Sequence, residues 1–273
     1  MQPRHQRADG GVSARFGPAQ AGGKPLELLQ SAPLRLLLPD PEPDEASIAC
    51  LLNSGGGLAG GDKLRVALRL DAGTRLTVAT AAAEKVYRSL GPATRIGVSL
   101  DVAAGAALEW IPQETILFDG AMLERRTEIA MAADARLLAV ESLVFGRAAG
   151  GEVITRLALR DAWQVRLDGR LLWADALRLP NALALKDPLR FGGAGACATL
   201  LCAGPGVAAL LPVLRAAVGG SLRAGATLPT PSLLLARLLG EAGAVRAALS
   251  AALVALRPLH LRQPGRLPRL WTN

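Results

Sequence analysis

The sequence predicts a mainly β protein of stacked β layers, solenoid-like or a sandwich, with two or three α-helices packed alongside near its C-terminal end. Three observations carry this. Between about Leu64 and Leu179 apolar residues recur at every second position, the period of a half-buried strand: Leu64, Val66, Leu68 and Leu70; Leu76 and Val78; Ile96, Val98, Leu100 and Val102; then Leu123, Thr127, Ile129 and Met131 with one gap at Arg125. A weak repeat aligns the turns before three strands, Asp71 to Leu76, Ala103 to Leu108 and Ala132 to Leu137, whose last leucines are 32 and 29 residues apart. A turn before each strand at such spacing marks layers that bury their apolar faces on one another. Beyond Leu179 the period becomes helical.

Taken in order, the first 25 residues are polar and glycine-rich and read as a flexible tail, with 26–273 as one domain. Leu34 to Leu38 is strand-like and ends at Pro39-Asp40-Pro41-Glu42-Pro43, an acidic loop whose prolines lack the amide donors a central strand needs. Ile48 to Leu52 runs into Asn53-Ser54-Gly55-Gly56-Gly57-Leu58-Ala59-Gly60-Gly61-Asp62, and the β body is expected to reach about residue 203. The uncharged run between Arg190 and Arg215, 24 residues by subtraction, is long enough to span a bilayer. Its glycines and prolines divide it instead into a loop, a short strand near Thr199 to Cys202 and a helix start. The helical part, about 204–258, reads as Val207 to Val218, Ser232 to Leu239 behind a Thr230-Pro231 cap, and Ala244 to Leu256 before Pro258, leaving a C-terminal segment 259–273.

Composition removes several function classes. Three cysteines, Cys50, Cys197 and Cys202, show neither C-x-x-C spacing nor a disulfide framework, which fits reduced thiols in a cytoplasm. With only His5 and His260, neither in a nucleophile or metal-ligand motif, a histidine-based triad or metal centre is not supported. The net charge of +8 suggests acidic partners. The arginines are scattered and aromatics make up only 3% of residues, so the composition points away from nucleic acid as well as from a membrane. No secretory signal is read in the first residues.

Four stretches hold the unusual residues. Gly55-x-Gly57-x-x-Gly60 matches a dinucleotide fingerprint, but a strand follows where a helix is required, and a P-loop counted from Gly56 places Asp62 where lysine belongs. A strand-to-strand loop needing positive φ is favoured, and an enzyme binding a phosphorylated ligand at Gly55–Asp62 is the alternative. In Glu84-Lys85-Val86-Tyr87-Arg88-Ser89, Lys85 and the only tyrosine share one face of a strand, which suits a tyrosine hydrogen-bonded at a sheet edge. Glu109-Trp110-Ile111-Pro112-Gln113-Glu114 holds two carboxylates with a proline turn between them, more in keeping with structure than with acid–base work. Gly146-Arg147 followed by Glu152 suits a tight turn closed by an ion pair.

Together and in this order, Gly56-Gly57 with Gly60-Gly61-Asp62, Lys85-x-Tyr87-Arg88, Glu109-Trp110-x-Pro112-Gln113-Glu114, Gly146-Arg147 with Glu152, and the terminal Pro268-Arg269-Leu270-Trp271 make the chain resemble the urease accessory protein UreD family, also called UreH, from about Ala32 to Trp271. It departs from the family at Asn53-Ser54-Gly55, where a histidine and a proline pair are usual, and at Leu38-Pro39-Asp40, where an aromatic-proline-acid step is usual. The resemblance implies a non-enzymatic scaffold that binds apo-urease subunits and recruits UreF and, through it, the GTPase UreG for nickel insertion. It also implies nickel in transit through an internal channel, with no cofactor bound stably. Nickel held tightly would want imidazole or thiolate, whereas the groups available here are carboxylates: Asp62 first, then Glu109, Glu114, Glu141 and Asp175.

Overall fold

The computed structural model describes residues 7–18, 24–147, 150–220 and 222–272. Strands alternate between two facing sheets. Sheet A, seven strands, contains β1 (Asp9–Phe16), β2 (Pro25–Ser31), β5 (Lys63–Leu70), β8 (Thr94–Val102), β11 (Ala121–Met131), β13 (Leu157–Leu167) and β14 (Arg170–Leu179). Sheet B, ten strands, contains β3 (Leu34–Leu37), β4 (Ser47–Asn53), β6 (Arg75–Thr80), β9 (Ala107–Ile111), β12 (Arg136–Phe145), β15 (Ala196–Ala203), β16 (Arg223–Thr230) and β17 (Leu233–Gly240), joined by short β7 (Glu84–Val86) and β10 (Thr115–Leu117). From β4 to β13 the chain climbs as a solenoid, with parallel neighbours β5, β8, β11 and β13 in one sheet and β4, β6, β9 and β12 in the other. Antiparallel strands close both ends.

The thirty-residue repeat is the coil of this solenoid. Leu76 lies opposite Leu108, and Leu108 opposite Leu137, so the three aligned leucines form one ladder through sheet B. The inward positions of sheet A stack likewise, as Leu70–Val102–Met131–Leu167 and Leu68–Leu100–Ile129–Val165. Both ladders belong to the core between the sheets. Turn chemistry fixes the register: Gly73 and Gly105 have φ of 71° and 66°, where a Cβ would be strained, and their amides bond to Ala104 O and Asp134 Oδ1 of the next coil.

Helices cover the outer face of sheet B. A 3₁₀ turn, Val207–Leu210, leads into α2 (Leu211–Ala217), and α3 (Ala242–Leu256) continues through a π turn to Leu261; α1 (Leu183–Lys186) is a single turn elsewhere. Ala242–Leu261 is long and apolar enough to cross a membrane, yet it carries Arg246 and Arg257 and packs Val245, Leu249, Leu253 and Leu256 against the second core.

Three expectations need correction. The first 25 residues are not wholly a tail, because β1 pairs with β2 and, in parallel, with β5. The region 204–258 is not wholly helical: residues 232–239, expected as a helix, lie mainly in β17, antiparallel to β15 and β16. Leu233, Leu234, Leu235, Ala236 and Leu238 are all buried, so this strand is apolar on both faces and has lost the alternation that marks a one-sided strand. For the same reason the β body ends at Gly240, not near residue 203.

His260 gives the fold a pH dependence. Its ring is buried in the π turn, with Nε2 3.0 Å from the Leu137 carbonyl and Nδ1 without a hydrogen-bond partner among the described residues, and burial pushes its pKa down to about 4. The unfolded chain, with its histidine near 6.5, therefore binds more protons between those values, and stability falls as pH drops from about 6.5 towards 4, by up to ~3 kcal/mol. Melting temperatures from pH 7.5 to 5 should decline less steeply for His260→Asn than for the native chain.

Candidate functional site

Along the sheet A ladders from Leu70 to Val66 the inward positions are apolar apart from Thr127, and the next ladder changes character, reading Leu64, Ile96, Arg125, Asp161 across four strands. Arg125 and Asp161 are cross-strand neighbours, so their side chains meet as a fork: Nε to Oδ1 at 3.1 Å and Nη2 to Oδ2 at 2.7 Å. From the facing sheet Glu141 brings Oε1 to 2.7 Å from Nη1 as an ion pair, with no hydrogen bond of regular geometry to this oxygen among the described residues. Nη1 donates instead to Thr115 Oγ1 at 3.0 Å. All three charged side chains are under a tenth exposed, and two carboxylates share one guanidinium. Burial pushes Glu141 up to about 8, aided by the Asp161 charge and opposed by Arg125.

Glu141 and Asp161 of the cluster line a cavity of about 530 Å³ between the sheets, beside β14 and β17. Asp175 and Arg237, an ion pair at the opening, line it together with Cys197 and Thr199 from β15 and the Trp163 and Trp173 rings. Burial, then the Asp161 and Glu141 charges, push the Cys197 thiol up to about 12, which leaves it an uncharged neighbour at neutral pH. The cavity thus brings together Glu141 and Asp175 of the sequence candidates and adds Asp161 and Cys197, with Arg125 bound to the two inner carboxylates. The signal for Arg125 was the gap it makes in an otherwise apolar alternation. Asp161 leaves the same gap in Leu157, Leu159, Trp163 and Val165.

The other candidates lie elsewhere. Glu109 faces the helical layer, where Arg257 Nε meets Oε1 at 2.8 Å and Thr77 Oγ1 donates to Oε2 at 2.6 Å. Arg257, fully buried, also donates to the carbonyls of Pro264 and Arg266 and so ties the C-terminal segment to the solenoid. Burial outweighs these partners and raises the Glu109 pKa. Glu114 pairs with Arg246 at 2.6 Å, Gln113 donates to Leu270 O at 2.8 Å, and Trp271 Nε1 donates to Ile111 O at 2.8 Å. The stretch Glu109–Glu114 is therefore a socket for α3 and the terminal Leu270-Trp271, with Trp110 buried in the core between the sheets and Pro112 turning the chain.

Asp62, the first candidate, is a cap. Its carboxylate, buried, accepts from Ala8 N and Ala59 N, both at 2.8 Å. Three of the loop's amides are already bonded: Gly55 to Asn53 Oδ1, Leu58 to Lys85 O, and Gly61 to Ala93 O. The loop leads into strand β5, so the phosphorylated-ligand alternative lacks the helix it requires. Close packing explains its glycines. A Cβ on Gly57 would stand 2.4 Å from the Tyr87 ring, one on Gly60 2.2 Å from Ser89 Oγ, and Gly61 has φ of 93°. Gly56, at φ of 72°, lends its carbonyl to Tyr87 Oη at 2.9 Å. Lys85 and Tyr87 are exposed on one face over buried Val86, and Tyr87 meets Phe118 edge-on at 5.0 Å. Arg88 packs under Gly120, and Arg147 lies over Phe118. Glu152 accepts from the Arg147 amide at 3.0 Å and pairs with its guanidinium at 3.2 Å, closing the turn at Gly146, whose φ is 84°. The motif residues thus form two structural units, a stack of loops and a socket, both apart from the cavity.

The family model described as UreD urease accessory protein matches residues 8–272. The chain belongs to that family. Among curated relatives, the urease accessory protein UreD of Granulibacter bethesdensis is 49% identical over 240 residues, 87% of this chain and all of that protein. Those of Methylobacterium sp. strain 4-46 and Magnetococcus marinus are 42% and 40% identical, each covering 97% or more of this chain and 94% or more of their own length. The resemblance read from the ordered motifs is therefore a family relationship over nearly the whole UreD chain.

Two substitutions separate packing from chemistry. Asp62→Ala should cost about 0.5–2 kcal/mol by calorimetry, as for other side-chain caps. Arg257→Met should cost more, about 3–5 kcal/mol, because it strands the buried Glu109 carboxylate without its counter-charge.

Proposed function

We propose that this UreD chain is a non-enzymatic scaffold of the cytoplasm that holds apo-urease, recruits UreF and through it the GTPase UreG, and passes nickel to the urease active site through the charged cavity between its sheets. The observation that carries the reading is the buried cluster of Glu141 and Asp161 on one Arg125, opening beside Asp175 into a space between the sheets. With both carboxylates ionised the cluster has one negative charge more than it has positive. A divalent cation would offset that surplus, and a proton on Glu141 offsets it otherwise. Carboxylate oxygens hold nickel less firmly than imidazole or thiolate, which suits a pathway whose cargo must leave again. Cys197 lines the same space and, without metal, is kept as a thiol by burial. Nickel here is cargo, and no resident cofactor is required. The family relationship supports the accessory role, while the cavity supports the route.

A urease operon lacking this chain, expressed with nickel and complemented by the native or altered chain, tests the proposal. Deletion should leave urease protein present but poor in nickel. Glu141→Gln with Asp175→Asn should leave soluble chain and its recovery with urease subunits unchanged, while nickel per urease falls by roughly tenfold, the scale on which a metal site weakens when one supporting group is lost. Full nickel loading by the double variant would remove the cavity from the route, and full loading in the deletion strain would remove the accessory role.

A further inference from the structure

The two sheets differ in what lies over their outer faces. Sheet B is covered by α2 and α3, whereas the outward side chains of sheet A on β5, β8, β11, β13 and β14 stand in the open. Register places these side chains in rows. One row runs Lys63, Arg95, Glu124, Arg160, Arg178 across five strands, and the next holds Arg65, Gly97, Arg126, Ala162 and Ala176. Gly97 has nothing near its missing Cβ, so the second row is a trough with a floor of small residues and walls of arginine. It opens into a groove of about 950 Å³ bordered by Lys63, Arg65, Arg95, Arg126 and Arg160.

Part of this charge is answered within the sheet, by Arg65–Asp9 at 2.6 Å, Arg95–Glu124 at 3.0 Å and Arg126–Glu128 at 2.6 Å. The rest is not. Arg160 and Arg178 are direct cross-strand partners, an arrangement that like charges disfavour, and neither has a carboxylate within salt-bridge distance among the described residues; nor has Lys63. Solvent screens this repulsion in part, and an anion from outside would relieve it further.

We propose that the outer face of sheet A, from Lys63 to Arg178, is a docking surface for an acidic segment of a protein partner. Charge complementarity selects the class of partner. Glu124 interrupts the first basic row and Glu128 stands beside the second, paired with Arg126, so a surface of discrete acids with an occasional cation fits where a uniform polyanion meets repulsion, and no exposed aromatic among the described residues borders the trough for base stacking.

Fluorescence anisotropy at low salt, with a labelled peptide of repeating Glu-Glu-Lys and an oligothymidylate of equal net charge, tests this. The native chain should bind the peptide, more tightly than the oligothymidylate, and salt should weaken it. Arg160→Glu with Arg178→Glu should weaken peptide binding by at least about tenfold, and Arg160→Gln with Arg178→Gln by less but measurably. Reversal of two exposed cations elsewhere, Lys24→Glu with Arg262→Glu, should change it by less than about twofold. Both sheet-face substitutions are on exposed side chains, and unchanged melting curves establish that they fold. Equal loss in the two charge-reversed variants, tighter binding of the oligothymidylate, or no peptide binding by the native chain would each overturn the proposal.

Discussion

A parallel coil can bury its apolar face only if each rung sits on the one before it, and this register constraint is what the rest of the structure depends on. A slip of one residue would turn every inward leucine of a strand to the outside. The turns prevent that slip: Gly73 and Gly105 hold left-handed backbone at the corners, and their amides bond to the next coil. Once the rungs are locked, the identity of one inward residue per strand decides what each level of the interior contains. Three levels are apolar or nearly so. The fourth holds Leu64, Ile96, Arg125 and Asp161, and Asp161 lines the cavity between the sheets.

The interior contains two buried ion clusters of similar chemistry and different surroundings. At Glu109, Arg257 and Thr77 satisfy both carboxylate oxygens and further guanidinium donors go to backbone carbonyls, while the buried Glu45 Oε1 lies 3.7 Å from Arg257 Nη1 without a hydrogen bond. That cluster bolts the solenoid to the helices. At Arg125 the donors are shared between Asp161 and Thr115, Glu141 Oε1 is left without a hydrogen bond, and the group faces a cavity. Buried ion pairs add little to stability over well-packed apolar side chains of the same volume. The one that faces a cavity is the one for which the proposed function offers a use beyond folding, a cationic cargo.

Much of this was legible in the sequence because period two and a repeat near thirty residues are direct consequences of stacked coils. Leu76, Leu108 and Leu137, which the repeat aligns, are the rungs of one ladder. What escaped was what periodicity does not encode. Strand β17 is buried on both faces, so its leucines do not alternate, and β1 sits in sheet A through backbone pairing despite its short, glycine-containing sequence. Among site residues, Asp62 drew notice because it closed a glycine-rich loop, and its partners, Ala8 N and Ala59 N, explain it as a cap. Glu141 and Asp175 come together only through facing sheets, a relation no local spacing records. The gap at Arg125 was visible and was the better guide: a charge on the inward side of an apolar strand must meet its partner inside.

The central claim is that the Arg125–Glu141–Asp161 cluster exists for cargo and not for the fold. Replacing all three together by apolar residues of similar size, Arg125→Met, Glu141→Leu and Asp161→Leu, and measuring thermal stability and urease nickel content on the same variant separates the two. The account predicts a chain at least as stable as the native one that recovers urease normally and delivers almost no nickel. A stable triple variant that loads urease fully would contradict it.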